Sequence, residues 1–217
     1  MPEVAVKKIC LLASLLAALL APGVQADSWP TTQFDVFEGI PEEKWLSDDY
    51  EEVATPASNR LTPALKKEIE QYMSSVAKKY QALALPAPRL PIVLLEDGST
   101  AYRIHYYDHD HSYALFGPLC APVAGTSIHL NARKMSQNGR ITKKGYNDLA
   151  HELFHAVETQ TVFARDACAL GIDHGKWITE GLAEAIGQDT AWELVGHTGR
   201  GAGTIDPQHR WGMRNYE

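Results

Sequence analysis

The sequence lacks the features of a nucleic-acid-binding or membrane-spanning protein. Asp and Glu total 27 and Lys and Arg total 20, so the 217 residues carry a formal net charge of -7. An acidic chain does not attract nucleic acid, and we expect no such partner. The longest apolar run, residues 9–20, falls short of the roughly 20 residues that a membrane-spanning helix needs. The length suits one domain with a substantial core.

The apolar run instead has the setting of an export signal. Lys7 and Lys8 precede it, and Val24-Gln25-Ala26 follow it with small residues at the positions that a signal peptidase recognises. We therefore predict that residues 1–26 are a signal peptide and that its cleavage leaves no stable membrane anchor. A bacterial periplasm is the expected destination. An uncleaved N-terminal anchor is the alternative, which the short apolar run disfavours.

Cysteine is scarce, with 3 in the whole sequence. Cys10 lies in the predicted signal, so the mature chain keeps Cys120 and Cys168. Two thiols in an exported protein favour a disulfide, and two buried free thiols are the alternative. Neither cysteine belongs to a CxxC pair, so we do not expect a cysteine metal site.

The mature chain divides into an acidic arm and a domain. Residues 27–58 show no lasting helical or strand period, so we predict an extended arm followed by a domain at 59–217. Four aromatic residues of the arm are candidates for packing on the domain: Trp29, Phe34, Phe37 and Trp45.

The domain has helical patterns at both ends and strand patterns between them, which predicts an α+β fold. Thr62 is a good N-cap and Pro63 fits the first helical position, so a helix of about 20 residues should begin there. The other predicted elements are strands at 91–96, 100–107 and 126–131 and helices at about 146–163 and 179–196. A Pro/Gly-rich loop separates the last two strands, and a polar loop, 132–145, precedes the second helix.

The second predicted helix contains HELFH, residues 151–155. Positions four apart share a helix face, so His151 and His155 can direct two imidazoles at one ion. Glu152 is turned about 100° from His151, which places it beside that face and within reach of a water molecule on the metal. The flanking residues are mostly apolar, which predicts a buried helix whose polar groups need partners. An ordinary amphipathic helix with solvent-facing histidines is the alternative.

The next predicted helix contains WITEGLAEA, residues 177–185. HELFH followed by such a helix resembles the gluzincin metallopeptidases, in which a glutamate on a second helix completes a zinc site. The resemblance covers about 40 residues, 146–187. It implies a zincin-like domain, in which a small β-sheet accompanies an HExxH helix and a second ligand helix.

The resemblance also implies roles for individual residues. His151, His155 and Glu180 would bind zinc, and Glu152 would be the general base for a zinc-activated water that hydrolyses peptide bonds. Glu184 lies four residues after Glu180 and would orient a histidine ligand, with a solvent-facing glutamate as the alternative. The strand at 126–131 would form the edge of a substrate groove and could bind an extended peptide by strand addition.

The sequence departs from related patterns at several positions. The metzincin extension fails, because Glu158 and Thr161 stand where that pattern requires Gly and a third His. Asp173 and His174 are rival third ligands. Large gluzincins carry a later Tyr or His that stabilises the oxyanion. The sequence has no clear counterpart, which is compatible with a reduced catalytic set or with an incomplete C-terminus. The downstream candidates are His197, His209 and Tyr216, and their spacing selects none of them.

A second histidine cluster, HYYDHDH, contains His105, His109 and His111. His and carboxylate groups suit zinc or copper, but the composition is also common in solvated loops, which we favour. A loop on the substrate side of the cleft is a third interpretation.

These patterns predict an exported zinc peptidase that acts on a peptide or protein substrate. Two other classes of function are alternatives. The first is a non-catalytic zinc-binding scaffold or interaction module. The second is a periplasmic metal-handling protein that uses His105, His109 and His111. The sequence selects neither a cleavage specificity nor an oligomeric state.

The two cysteines of the mature chain generate the first testable prediction. A bridge between Cys120 and Cys168 would span 47 intervening residues and could stabilise the protein by about 3–4 kcal/mol by restricting the unfolded chain. Thiol titration of denatured, unreduced protein made in an oxidising compartment should find no free thiol. Two free thiols would refute the bridge.

Overall fold

The structure, a computed structural model, describes residues 29–39, 55, 57–108, 114–117, 126–159 and 176–196. Within this part of the chain, no helix is long and apolar enough to span a membrane. Several sequence predictions concern positions outside the described residues: the signal peptide at 1–26, Trp45, His109, His111, Cys120, Thr161, Cys168, Asp173, His174, His197, His209 and Tyr216.

The described residues form an α+β fold, as predicted. Five strands make a mixed sheet: β1 Phe34–Glu38, β2 Ile92–Leu94, β3 Thr100–Tyr107, β4 Ala114–Gly117 and β5 Ser127–Asn131. Their order is β1-β3-β5-β4, with β2 also paired to β3. The helices are α1 Pro63–Ala82, α2 Ala132–Met135, α3 Lys143–Glu158 and α4 Lys176–Val195, and a 3-10 turn covers Ala57–Asn59. A small hairpin pairs β6 Ser136–Gln137 with β7 Arg140–Ile141.

Helix α1 begins as predicted and braces α3. The side chain of Thr62 accepts a hydrogen bond from the Leu65 amide, and Pro63 occupies the first turn. Two tyrosines of its buried face bond to the backbone of α3: Tyr72 donates to the Tyr146 carbonyl at 2.8 Å and Tyr80 to the Ala150 carbonyl at 2.9 Å. These bonds fix the N-terminal half of α3 against α1.

The N-terminal segment contains a strand that the sequence analysis missed. β1 pairs in parallel with β3, and Phe34 and Val36 are buried in the core. Asp35 faces away from them and forms ion pairs with Lys66 and Arg103. The segment was predicted only as an extended arm, because two core-facing residues are too few to show a strand period and an aspartate such as Asp35 is typical of a loop.

Strand β5 is interior to the sheet, which corrects its predicted place at a groove edge. It pairs with β3 on one side and with β4 on the other. The edge on this side is β4, within the described part of the chain. β4 lies inside the segment that the sequence analysis treated as a Pro/Gly-rich loop, and its four residues give too short a pattern to be recognised.

Helix bounds also differ from the prediction. The predicted polar loop at 132–145 contains α2, the β6–β7 hairpin and the start of α3, whose N-cap is Thr142. α3 ends at Glu158, five residues before the predicted end, and α4 starts at Lys176, three residues before the predicted start. Thr142 is a strong capping residue, so local chemistry rather than the apolar period sets the start of α3.

Trp29 allows a test of whether the N-terminal segment is integral to the fold. It is 8% exposed, donates a 2.9 Å hydrogen bond to the Leu85 carbonyl and contacts the Tyr102 ring edge-on. Trp29→Ala should therefore lower the free energy of unfolding by about 3–5 kcal/mol, as measured by denaturant titration. The matched control is Trp192→Ala, because Trp192 is 58% exposed. Equal losses in the two variants would contradict the prediction.

Candidate metal centre

Helix α3 carries HELFH into the interior of the protein. Residues on several sides of it are buried, including Leu149, Leu153 and Phe154. His151 is 7% exposed, and the side chain of His155 is 14% exposed. The alternative of solvent-facing histidines therefore does not describe this helix. Buried imidazoles require polar partners, which α4 supplies.

Helix α4 approaches α3 closely because small residues lie at the contact. Ala183 and Ala191 are fully buried, and Gly187 lies between them at four-residue spacing. A Cβ atom on Gly187 would lie 3.1 Å from both the Asn147 carbonyl oxygen and the His151 amide nitrogen. Only glycine permits this approach without a shift of one backbone. The contact brings the acidic residues of α4 to the imidazoles of α3.

Three sequence-predicted ligands converge at this contact. The Nε2 atoms of His151 and His155 are 3.0 Å apart. Oε2 of Glu180 lies 3.3 Å from Nε2 of His151 and 3.6 Å from Nε2 of His155. In a tetrahedral site with bonds of about 2.0–2.1 Å, two ligand atoms are separated by about 3.3–3.4 Å. The side chains therefore fit a metal ion, and the group could hold one.

Glu152 lies beside this triangle rather than in it. Its Oε1 atom is 4.0 Å from Nε2 of His151, and the residue is buried. Burial raises the pKa of the Glu152 carboxyl group, although the two histidines oppose the shift. The carboxylate thus has the position that the helical spacing predicted, next to the ligand atoms.

Glu184 faces His151 from α4 and is not solvent-facing. Its Oε2 atom lies 3.5 Å from Nδ1 of His151. Two amide groups hold the carboxylate: Asn147 donates at 3.4 Å and Gln188 at 2.5 Å. Neither amide was predicted from the sequence. Each lies four residues from a predicted site residue on the same helix, so helical spacing was the signal that could have found them.

The carboxylates strongly favour positive charge at the two histidines. Burial alone would lower the pKa of His151, but Glu180 and Glu184 outweigh it and raise that pKa to about 10. Burial is likewise outweighed at His155, where Glu158 and Glu180 raise the pKa to about 9. Hydrogen bonds from both histidines hold the pKa of Glu180 far below its usual range despite its burial. These shifts share one cause, which is the attraction between the carboxylates and positive charge on the imidazoles.

The second histidine cluster is only partly described. His105 lies on β3, its Nδ1 atom is 3.3 Å from the Gly39 carbonyl oxygen, and its ring stacks on that of His129 at 5.7 Å. Nδ1 of His129 is 3.0 Å from the Tyr107 hydroxyl. His109 and His111 lie outside the described residues, so the favoured solvated loop and its two alternatives, a metal site and a substrate-side loop, stay untested predictions.

No family model, curated protein or solved structure matches this chain. The assignment of a function therefore depends on the arrangement of the side chains at the α3–α4 contact.

Gly187 allows a test of the helix contact with a matched control on the same helix. Gly187→Ala should weaken the binding of a divalent metal and cost about 1–3 kcal/mol of stability, because the new Cβ separates α3 from α4. A Cβ on Gly181 would meet nothing within 4 Å, so Gly181→Ala should gain up to about 1 kcal/mol from helix propensity and keep the metal. Zinc titration and chemical denaturation measure both effects. Similar metal affinities in the two variants would contradict the proposed contact.

Proposed function

We propose that the protein is an exported zinc-dependent peptidase of the gluzincin type, with a zincin-like fold. One observation carries the proposal: His151, His155 and Glu180 converge at 3.0–3.6 Å, and a second carboxylate, that of Glu152, lies next to them. Two imidazoles and one carboxylate are a common donor set for catalytic zinc, which keeps one position for water or substrate. A purely structural zinc site has no use for the buried carboxylate of Glu152.

In this proposal, His151, His155 and Glu180 hold the ion and Glu152 transfers the proton. Bound zinc would supply a Lewis acid that polarises the scissile carbonyl group and increases the acidity of water. Glu152 would accept a proton from the attacking water on its carboxylate and then donate it to the leaving amine. Glu184 would hold the His151 ring by accepting a hydrogen bond from Nδ1, which leaves Nε2 directed at the ion.

Strand β4 is the candidate for peptide binding. It lies at an edge of the described sheet and next to α3. An exposed edge can accept an extended peptide as an added strand, through backbone hydrogen bonds that do not depend on the peptide sequence. A peptide or protein substrate bound there would run beside the helix that carries Glu152.

The decisive variant is Glu152→Gln. Glutamine keeps the shape of the side chain but cannot accept the proton from water, so hydrolysis should fall by at least about 10²–10⁴-fold while zinc binding and thermal stability stay near those of the wild type. His155→Ala is the matched loss-of-metal control, because removing one of three ligands should abolish stoichiometric zinc. A mixed peptide library read by mass spectrometry and metal analysis of each variant provide the measurements.

The outcomes separate the candidate functions. Equal cleavage by wild type and Glu152→Gln would refute the mechanism. If both hold one zinc ion and neither cleaves any peptide, the non-catalytic scaffold becomes the better description. Wild-type protein that cannot be loaded with zinc would refute both functions.

A further inference from the structure

We propose that Glu158 is a positioning residue for the metal centre, which holds the ring of His155 through its Nδ1 atom. This inference depends on the metal site of the proposed function. Nδ1 of His155 lies 3.4 Å from Oε2 of Glu158, at the long end of the hydrogen-bonding range. An imidazole that binds a metal through Nε2 must carry its proton on Nδ1, and a carboxylate that accepts this proton selects that tautomer and fixes the ring.

The location of Glu158 is otherwise unfavourable. It is the last residue of α3, where the carbonyl groups at the helix C-terminus repel a negative side chain. A glutamate at a helix end can usually extend into water, yet this side chain is only 13% exposed and lies against His155. Glu158 also stands where the metzincin pattern requires glycine, so that pattern assigns it no role. The contact with His155 accounts for both its type and its burial.

Glu158 and Glu184 contact different histidines. Glu184 contacts His151 from α4, so the orientation of His151 depends on how α3 and α4 pack. Glu158 contacts Nδ1 of His155 from three residues along the same helix, so this support of His155 does not depend on how α3 and α4 pack. Glu180 of α4 contacts the other ring nitrogen, Nε2.

The test compares Glu158→Ala and Glu158→Gln with the wild-type protein. Glu158→Ala removes the acceptor for Nδ1 and should weaken zinc binding by about 10–100-fold, as measured by competition with a chelator. Glutamine keeps an acceptor oxygen at the same distance, so Glu158→Gln should recover part of this loss. Cobalt(II) serves as a spectroscopic probe: its visible absorption bands should change in Glu158→Ala and return toward the wild-type spectrum in Glu158→Gln. A merely structural role would lower thermal stability without this pattern.

Glu193→Ala is the matched control, because Glu193 is exposed, pairs with Lys79 and lies outside the metal centre. It should leave the zinc affinity and the cobalt spectrum unchanged. Unchanged affinity and spectrum in Glu158→Ala would overturn the positioning role while leaving the zinc peptidase intact. Weakened binding in Glu158→Ala, with no hydrolysis by a zinc-loaded wild type, would support the positioning role and refute the peptidase. Wild-type protein that takes up neither metal would refute both.

Discussion

The close contact between α3 and α4 at Gly187 constrains the geometry of the whole candidate metal centre. Without a Cβ atom at this position, the backbone of α4 can lie against the backbone of α3 beside His151. Glu184 and Glu180 precede Gly187 by about one and two helical turns, so they lie on the same side of α4 and meet the imidazoles. Tyr72 and Tyr80 hold α3 against α1 through its Tyr146 and Ala150 carbonyls. The ligand distances thus follow from helix packing rather than from the ligand side chains alone.

This packing places several carboxylates at the α3–α4 contact, where the side chains have little access to water. Four carboxylates surround two imidazoles: Glu152, Glu158, Glu180 and Glu184 around His151 and His155. Buried carboxylates are costly unless they are paired or hydrogen-bonded, and here they raise the pKa of both histidines. A divalent cation would satisfy the same carboxylates. The side chains of His151, His155 and Glu180 could therefore hold a metal ion.

The parts of this arrangement that depend on local chemistry could be predicted from the sequence. Thr62 and Pro63 set the start of α1, and four-residue spacing placed His151 and His155 on one face of α3. Glu180 is distant in sequence and was found only through a family resemblance. β1 and β4 were not predicted, because strands this short are stabilised by their partner strands and show little pattern of their own in the sequence. The β6–β7 hairpin had a local signal, the turn Asn138-Gly139 with positive φ at both residues, which the analysis treated as a loop.

The strand order changes how the proposed peptidase would meet its substrate. An interior strand such as β5 already has hydrogen-bonding partners on both sides, so a peptide cannot add to it. β4 is antiparallel to β5, forms the edge of the described sheet on this side and lies next to α3. In the proposed peptidase, a peptide added to β4 would therefore lie near the helix that carries Glu152. Backbone hydrogen bonds to β4 would hold the substrate whatever its side chains are. Any preference for particular side chains near the cleaved bond must therefore come from residues around β4.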